Sequence, residues 1–265
     1  MSDEVRVERR GPLALLIVDR PKALNAIARH TMAQLDRAIE GLEAAEDVRG
    51  LVLAGGGGRF IAGGDLRDLD AARSAEEGAA MAARMQAVLA RLEDLPFPVI
   101  AAVERFAFGG GAEVALACDL RVMGPDAVIA LRHNRFGVTT AWGGARRLTR
   151  LVGHGRALSL LWTGRDVGAD EALAIGLADA VAPGGASVVQ HAVDLAERIA
   201  AGAAGAVAAT KVLVHAAGLD REAHGRLEVE RLGPVWGHRD HWDRVDAFWA
   251  RQARRKARGG RAKPE

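Results

Sequence analysis

The sequence is poor in the residue types that build covalent and metal-linked sites. It contains one cysteine, Cys118, in 265 residues, which excludes an intramolecular disulfide and any metal site made of several cysteines. Four serines are present, and none stands in the glycine-flanked setting of a hydrolase nucleophile, so we do not expect a serine hydrolase. The eight histidines lack metalloprotease spacing, and we expect no metal.

Long hydrophobic runs are also missing. No stretch approaches ~18 consecutive apolar residues, and residues 1–10 lack the apolar segment of a signal peptide. Hydrophobic residues make up 49% of the chain and charged residues 26%, which is typical of a globular protein. We therefore expect a cytoplasmic protein that does not bind membranes.

The formal net charge is only +2, but basic residues are concentrated at the end of the chain. Residues 251–265 carry seven arginines or lysines against one glutamate. Such a run is usually solvated, so we expect a disordered basic tail. It contains no aromatic side chain that could stack on a base, and we do not expect nucleic acid as a partner.

The hydrophobic pattern predicts an α/β fold up to about residue 186. Strands lead through glycine-bearing turns into helices, which places ligand sites at strand ends. Beyond Pro183 the pattern favours helices alone. We predict a core over 1–186, a helical oligomerisation region over 187–250 and the basic tail. The predicted strands are 5–9, 13–19, 48–55, 99–103, 120–123 and 127–131. One predicted core helix begins at Thr31, and a second spans about 75–95.

The stretch FGGGAEVALACD, residues 108–119, places three consecutive glycines before a helix that we expect to begin at Ala112. Glycine is the costliest residue to order, so this run needs a structural reason. One interpretation is a tight turn between strand and helix. The other is a backbone N–H that approaches a ligand atom at the positive end of the helix. A second glycine turn, residues 60–65, does not fit the dinucleotide-binding pattern.

Six segments in register resemble the enoyl-CoA hydratase/isomerase (crotonase) family. They are RPKALNAI, FIAGGDL, FGGGAEVALACDLRV, AWGGARRL, GADEALAIGLAD and DHWDRVDAF, and together they span the chain except for its basic tail. The resemblance implies a crotonase-like spiral of ββα units with a C-terminal helical trimerisation region. It also implies a homo-trimer or a hexamer of two trimers, and an acyl-CoA substrate. Coenzyme A would then be part of the substrate, with no permanently bound cofactor.

The resemblance also assigns roles to the two glycine turns. The N–H groups of Gly64 and Gly110 are implied to form an oxyanion hole, which holds the thioester oxygen as it becomes an enolate. The first turn and nearby basic side chains are implied to bind the CoA moiety, with the adenine against Ala62. The residues so implied are Ala62, Gly63 and Asp65, with Lys22 and Lys211 as weaker candidates for the CoA phosphates that would otherwise be solvated surface lysines.

One position departs from the family pattern. The resemblance implies that Glu113 is catalytic, as the first of two glutamates that hold and activate a water in hydratases. The second position, four residues before the glycine of FGVTTAWGG, is His133, and residues 131–148 contain no carboxylate. Two-glutamate hydration is therefore in doubt. A single carboxylate can still move a proton between two carbons, as in an isomerase. His133, beside Arg132 and Arg135, would recognise an anionic acyl group or have a structural role.

A narrower resemblance concerns the same position. His133, WGGARRL and RLGPVWG (231–237) are similar to the ethylmalonyl/methylmalonyl-CoA decarboxylase branch of the family. Loss of carbon dioxide from a malonyl thioester leaves the same enolate and needs no second glutamate. Decarboxylation is therefore the main alternative to hydration or isomerisation. A non-catalytic acyl-CoA- or RNA-binding protein is the alternative from another class.

Overall fold

The computed structural model describes residues 3–70 and 73–259, in which strands and helices alternate before a run of helices. The strands are β1 (Val5–Arg10), β2 (Leu13–Val18), β3 (Gly50–Gly55), β4 (Val99–Val103), β5 (Phe106–Phe108), β6 (Leu120–Met123), β7 (Val128–Ala130), β8 (Val167–Gly168) and β9 (Ala180–Val181). The helices are α1 (Arg29–Glu43), α2 (Leu66–Leu69), α3 (Ala75–Asp94), α4 (Gly110–Ala117), α5 (Gly144–Val152), α6 (His154–Thr163), α7 (Ala169–Ala174), α8 (Val188–Ala200), α9 (Ala204–His215), α10 (Arg221–Trp236) and α11 (Arg239–Gly259). Short 3-10 helices cover Pro21–Ala23 and Arg132–Phe136.

A six-stranded sheet in the order β1-β2-β3-β4-β6-β9 is the centre of the fold. β1 and β2 are antiparallel, and every later pair of neighbours is parallel. All residues of β2, β3 and β4 are buried, because helices cover both faces of the sheet. Alternate residues divide between two hydrophobic clusters. Leu16 and Leu53 pack with residues of α1 and α3, whereas Leu15 and Val52 pack with residues of α8. The predicted α/β class is confirmed.

A second sheet, in the order β5-β7-β8, carries the chain into the glycine-rich helix α4. β5 pairs with β7 in parallel, and an isolated bridge joins Ala107 of β5 to Ile61 of the first glycine turn. The sequence pattern did not predict β5, β8 or β9. These strands are three, two and two residues long, too short to show a hydrophobic period of their own.

Two helices begin earlier than predicted. α1 begins at Arg29, because the hydroxyl of Thr31 donates to the Glu4 carboxylate at 2.7 Å instead of capping the helix. α4 begins at Gly110 instead of Ala112, so the glycine run is partly helical. Only Gly109, with a φ of 51°, remains outside it as the N-cap. The amide of Gly110 is therefore the first in the helix.

The chain divides after Ala200 into two compact units. α8, which we assigned to the helical region, packs on strands β3 and β4 of the first unit. The second unit contains α9, α10 and α11, and α11 continues past residue 250 to Gly259. The domain limits at residues 186 and 250 and the disorder of the tail stay predictions. Residues 260–265 of the tail lie outside the described residues.

Asn25 ties the first loop of the core to the loop that follows β3. It is fully buried and has a φ of 57°, a left-handed conformation that asparagine tolerates. Its side-chain nitrogen lies 2.8–2.9 Å from the carbonyl oxygens of Gly56, Arg59 and Phe60. Its side-chain oxygen accepts from the N–H of Arg20 at 2.9 Å. The residue therefore fixes the entrance to the first glycine turn.

We expect Asn25→Asp to lower the free energy of unfolding by about 3 kcal/mol or more, because a buried carboxylate would then face carbonyl oxygens. Urea denaturation at neutral pH measures this loss. Asn25→Gly is the matched control, since glycine accepts the backbone conformation and adds no charge. It should cost less than Asn25→Asp, and equal losses for the two variants would contradict the explanation.

Candidate active site

The two glycine turns lie side by side. The N–H of Phe108 donates to the carbonyl oxygen of Ile61 at 3.1 Å. A Cβ atom on Gly63 would lie 2.9 Å from the Phe108 carbonyl oxygen and 3.4 Å from the Gly110 nitrogen. Gly63 has a φ of 114°, which L side chains rarely adopt. The predicted convergence of the two turns is therefore present, and it depends on the absence of a side chain at residue 63.

Glycine is needed at each of residues 109–111 for a different structural reason. Gly109 needs its positive φ at the N-cap of α4. A Cβ on Gly110 would lie 2.2 Å from Cζ3 of Trp142, and one on Gly111 would lie 2.0 Å from the carbonyl oxygen of Ile61. The run therefore combines a turn with two close approaches, so both interpretations from the sequence apply in part.

The backbone amides of Gly64 and Gly110 donate to no other group among the described residues. A bridge between Ile27 and Gly64 uses the carbonyl of Gly63 and the N–H of Asp65, at 2.8 and 2.9 Å. It leaves the Gly64 amide without a hydrogen bond among the described residues. The Gly110 amide, at the start of α4, likewise has no such partner in this part of the chain. These are the two amides predicted to form the oxyanion hole.

Glu113 lies one helical turn after Gly110 and is 1% exposed. Its Oε1 accepts the backbone N–H groups of Trp142 and Gly144, both at 2.9 Å. Its Oε2 lies 2.9 Å from Nε2 of His133. The carboxylate therefore has protein partners on both oxygens, and the loop that carries Trp142 is tied to α4 through it.

His133 is brought to Glu113 by the 3-10 helix Arg132–Phe136. Its Nδ1 is buried and has no hydrogen-bond partner among the described residues. The contact with Glu113 needs one proton, carried by either Nε2 or the carboxyl group. The structure thus places the two residues predicted to be catalytic, Glu113 and His133, in direct contact.

The neighbouring arginines face other groups. Arg132 pairs with Asp166 at 2.6 Å, and its guanidinium carbon lies 3.6 Å from the centre of the Phe108 ring. Arg135 donates to the carbonyl oxygen of Gly164 at 2.8 Å. Both cations therefore have fixed partners on the side of helix α6 and strand β8, and the expectation that they contact an anionic acyl group gains no support.

Trp142 is a site residue that the sequence analysis missed. Trp142 is 4% exposed, and its ring packs against Gly110. Its backbone N–H donates to the carboxylate of Glu113. Its carbonyl oxygen accepts from Arg147 at 2.8 Å, and Arg147 in turn pairs with Glu93 at 2.8 Å. The available signal was a large aromatic residue inside the glycine-rich segment AWGG, where a solvent-exposed turn would favour small residues.

Asp65 has a structural role in the first turn. Its carboxylate caps α2 by accepting from the N–H groups of Arg67 and Asp68, and it pairs with Arg20 at 2.9 Å. Burial alone would raise the pKa of Asp65, but Arg20 and the capping amides outweigh burial and lower it below the ordinary value. These partners fix the side chain next to Gly64, its neighbour in sequence, and contact of Asp65 with CoA stays a prediction.

The remaining CoA candidates lie around the same turn. The N–H of Ala62 donates to the carbonyl oxygen of Leu24 at 3.2 Å. Gly63 lies against Phe108 of the second turn. Lys22 is exposed on the 3-10 helix Pro21–Ala23. Contact of these residues with CoA stays a prediction, as does that of Lys211.

Residues 3–70 and 73–259 contain neither a metal-binding cluster nor a helix that could span a membrane. No three histidine, cysteine, aspartate or glutamate side chains in these ranges are grouped so that they could hold a metal ion. Within the same ranges no helix is both long enough and apolar enough to cross a lipid bilayer.

Comparison with solved structures defines the class of protein. The chain is similar to the crystal structure of an enoyl-CoA hydratase from Bacillus anthracis, with a TM-score of 0.89 and 28% sequence identity. The similarity covers 94% of this chain and 96% of that chain. The predicted crotonase-like fold is confirmed.

Residues 8–241 match the model of the enoyl-CoA hydratase/isomerase family, and the chain belongs to this family of enzymes that act on acyl-CoA. It is 34% identical to a short-chain-enoyl-CoA hydratase of Clostridium acetobutylicum over 248 residues, which cover 93% of this chain and 94% of the relative. It is 35% identical to an ethylmalonyl-CoA decarboxylase of Danio rerio over 242 residues, which cover 89% and 80%. Both resemblances inferred from the sequence are confirmed.

The close approach of Trp142 to Gly110 leads to a first test of this geometry. We expect Gly110→Ala to lower the free energy of unfolding by about 1–3 kcal/mol, because the buried indole ring cannot move aside. Gly64→Ala should cost less, since its Cβ would meet the flexible end of Leu69 at 2.8 Å. Thermal and urea denaturation measure both. Gly155→Ala in α6, where nothing lies within 4 Å, is the control. A Gly110→Ala protein as stable as this control would contradict the geometry.

Proposed function

We propose that the protein decarboxylates a malonyl-type CoA thioester through an enolate held by the Gly64 and Gly110 amides, with the Glu113–His133 pair returning a proton to carbon. One observation carries this proposal. The carboxylate of Glu113 is buried and both its oxygens have protein partners, one of which is the histidine at the second catalytic position.

The same observation argues against hydration. In hydratases of this family two carboxylates hold and activate one water. Here Oε1 of Glu113 accepts two backbone N–H groups, and Oε2 faces His133 at 2.9 Å. The second position supplies an imidazole that binds the first carboxylate instead of a second carboxylate that binds water. Decarboxylation needs no attacking water, so the pair is sufficient for it.

The reaction balances with these groups and one proton from solvent. The bond between Cα and the substrate carboxylate breaks, carbon dioxide leaves, and the electron pair of the bond moves onto the thioester as an enolate. The enolate oxygen carries the developing charge and accepts the N–H groups of Gly64 and Gly110. The carbonyl then re-forms, Cα takes one proton from the Glu113–His133 pair, and solvent returns that proton to the pair.

The physical contribution of the two amides is electrostatic. Both are fixed by the fold before substrate arrives, so they need no reorganisation when negative charge develops on the oxygen. Removal of one such donor typically costs about 2.7–4 kcal/mol of transition-state stabilisation. The first turn of α4 adds the positive end of a helix at the same place.

The relatives support the acyl-CoA chemistry without choosing the reaction. The chain is 34% identical to a relative named a hydratase and 35% identical to one named an ethylmalonyl-CoA decarboxylase. These values are too close to decide between the two reactions, so the proposal depends on the arrangement at Glu113 and His133. The ethylmalonyl name suggests the first substrate to test.

The deciding assay uses the purified chain with ethylmalonyl-CoA and with crotonyl-CoA. We expect carbon dioxide from ethylmalonyl-CoA and no loss of the crotonyl absorbance. Glu113→Gln should lower kcat by about 10²–10⁴-fold, because the pair can no longer deliver its proton. Glu76→Gln, an exposed position at the start of α3, is the control and should leave kcat unchanged. Hydration of crotonyl-CoA without decarboxylation would refute the proposal, and so would binding of both substrates without turnover.

A second variant tests why the histidine matters. His133→Glu restores a second carboxylate beside Glu113, so we expect it to lose decarboxylation and to gain measurable hydration of crotonyl-CoA. His154→Ala, which removes an exposed histidine at the start of α6, should do neither. If His133→Glu still decarboxylated at the wild-type rate, the imidazole would have no role in proton return.

Oligomerisation through the second unit is part of the same proposal. The described part of this unit exposes several large apolar side chains, and such side chains on a lone protomer favour self-association. They are Val212, Val214, Leu219, Val229, Leu232, Trp236, Trp242, Phe248 and Trp249. We assign this surface to contact with further copies of the chain, as a trimer or hexamer of a cytoplasmic enzyme. Sedimentation of the purified chain measures the number of copies.

A further inference from the structure

The indole ring of Trp142 lies against both glycines that we assign to the oxyanion hole. A Cβ atom on Gly110 would lie 2.2 Å from Cζ3 of the ring, and one on Gly64 would lie 2.8 Å from Cδ1 of Leu69 and 3.9 Å from Cη2 of the ring. The ring therefore packs on the start of α4 and lies near the turn after β3. At 4% exposure it is packed on nearly all sides.

The backbone and the indole nitrogen of Trp142 are also fixed. Its N–H donates to Oε1 of Glu113 at 2.9 Å, and its carbonyl oxygen accepts from Arg147 at 2.8 Å. Arg147 is 6% exposed and donates twice more to one carboxylate oxygen of Glu93, at 2.8 and 3.1 Å. The indole N–H lies 3.4 Å from Sδ of Met81 on α3. The ring therefore has little freedom to shift.

We propose that Trp142 is a positioning residue that sets the spacing of the Gly64 and Gly110 amides, an inference that rests on the oxyanion hole of the proposed function. Two donors stabilise an enolate oxygen fully only when both reach the same atom, and such sites need their donors placed to within about 0.5 Å. Neither glycine has a side chain of its own, so the neighbouring groups help to fix where the two amides lie. Trp142 is the neighbour that the two glycines share, beside Leu69 and the backbone bridge to Ile27 at Gly64.

Core packing alone predicts a different result from positioning. If the ring only fills space, its removal lowers stability and leaves the surviving folded enzyme able to stabilise an enolate. If it sets the spacing of the amides, the folded variant binds a CoA thioester but stabilises its enolate poorly. The readout must therefore report the enolate directly. Acetoacetyl-CoA serves as the probe, because its enolate absorbs in the ultraviolet more strongly than its keto form.

The experiment titrates the wild-type chain and three variants, Trp142→Phe, Trp142→Ala and Leu92→Ala, with acetoacetyl-CoA. Leu92 is 1% exposed on the buried face of α3, so its truncation destabilises the core without changing either glycine. Far-ultraviolet circular dichroism selects the variants that are folded. Values of kcat and KM are then measured with whichever CoA thioester the wild type turns over.

We expect the enolate band in the wild type and in Leu92→Ala, a weaker band in Trp142→Phe, and none in Trp142→Ala. The kcat of Trp142→Ala should fall by about 10²–10³-fold, the effect of one misplaced donor, with a much smaller change in KM. A full enolate band in Trp142→Ala, or a loss in kcat no larger than that of Leu92→Ala, would overturn the proposal. If Trp142→Ala does not fold, the test uses Trp142→Phe: a weaker enolate band than in the wild type supports the proposal, and an equal band overturns it.

The probe also separates this proposal from the choice of reaction. A wild-type enolate band together with no release of carbon dioxide would refute the decarboxylase and leave the role of Trp142 intact. Absence of the band in the wild type would contradict the proposed oxyanion hole and therefore also the role of Trp142, even if carbon dioxide were released.

Discussion

The burial of the Glu113 carboxylate is the interaction on which the site depends. A carboxylate taken out of water is costly unless hydrogen-bond donors meet it, so the surrounding chain must supply them. Two come from the turn that begins α5, through the N–H groups of Trp142 and Gly144, and the 3-10 helix adds His133. Charge-assisted hydrogen bonds of this kind are stronger than neutral ones. The carboxylate thereby joins three segments of the first unit around the start of α4.

The same hydrogen bonds determine what the carboxylate can do. An acid that keeps one oxygen free can hold a water, whereas both oxygens of Glu113 already have protein partners, two backbone amides and an imidazole. Relatives named for two different reactions match this chain at 34% and 35% identity, so similarity of the whole chain does not choose between the reactions. The proposed reaction therefore depends on one side chain, His133, and on its contact with Glu113.

Long elements could be predicted from the sequence because their burial leaves a regular pattern, as in β2, whose six residues are all buried, and in the apolar face of α3. The strands β5, β8 and β9 could not, since they are two or three residues long and exist only through their neighbours. Glu113 and both glycine turns were found through motifs. Trp142 was missed because its role arises from contacts with Gly110 and Glu113 that no local pattern encodes. The pairing of Arg132 with Asp166 could not be predicted either, because adjacency to His133 in sequence does not determine which side chain Arg132 meets.

Gly144 adds a constraint on how such a site can change over evolution. A Cβ at this residue would lie 2.6 Å from Cγ of Glu113, inside the space that the acidic side chain already fills. A larger residue at 144 therefore requires a shorter one at 113, so the order of change is constrained: residue 113 must shorten before residue 144 can gain a side chain. Substitutions at touching residues are rarely additive. We expect residues 113 and 144 to covary among homologues, so that the loop and the helix diverge together.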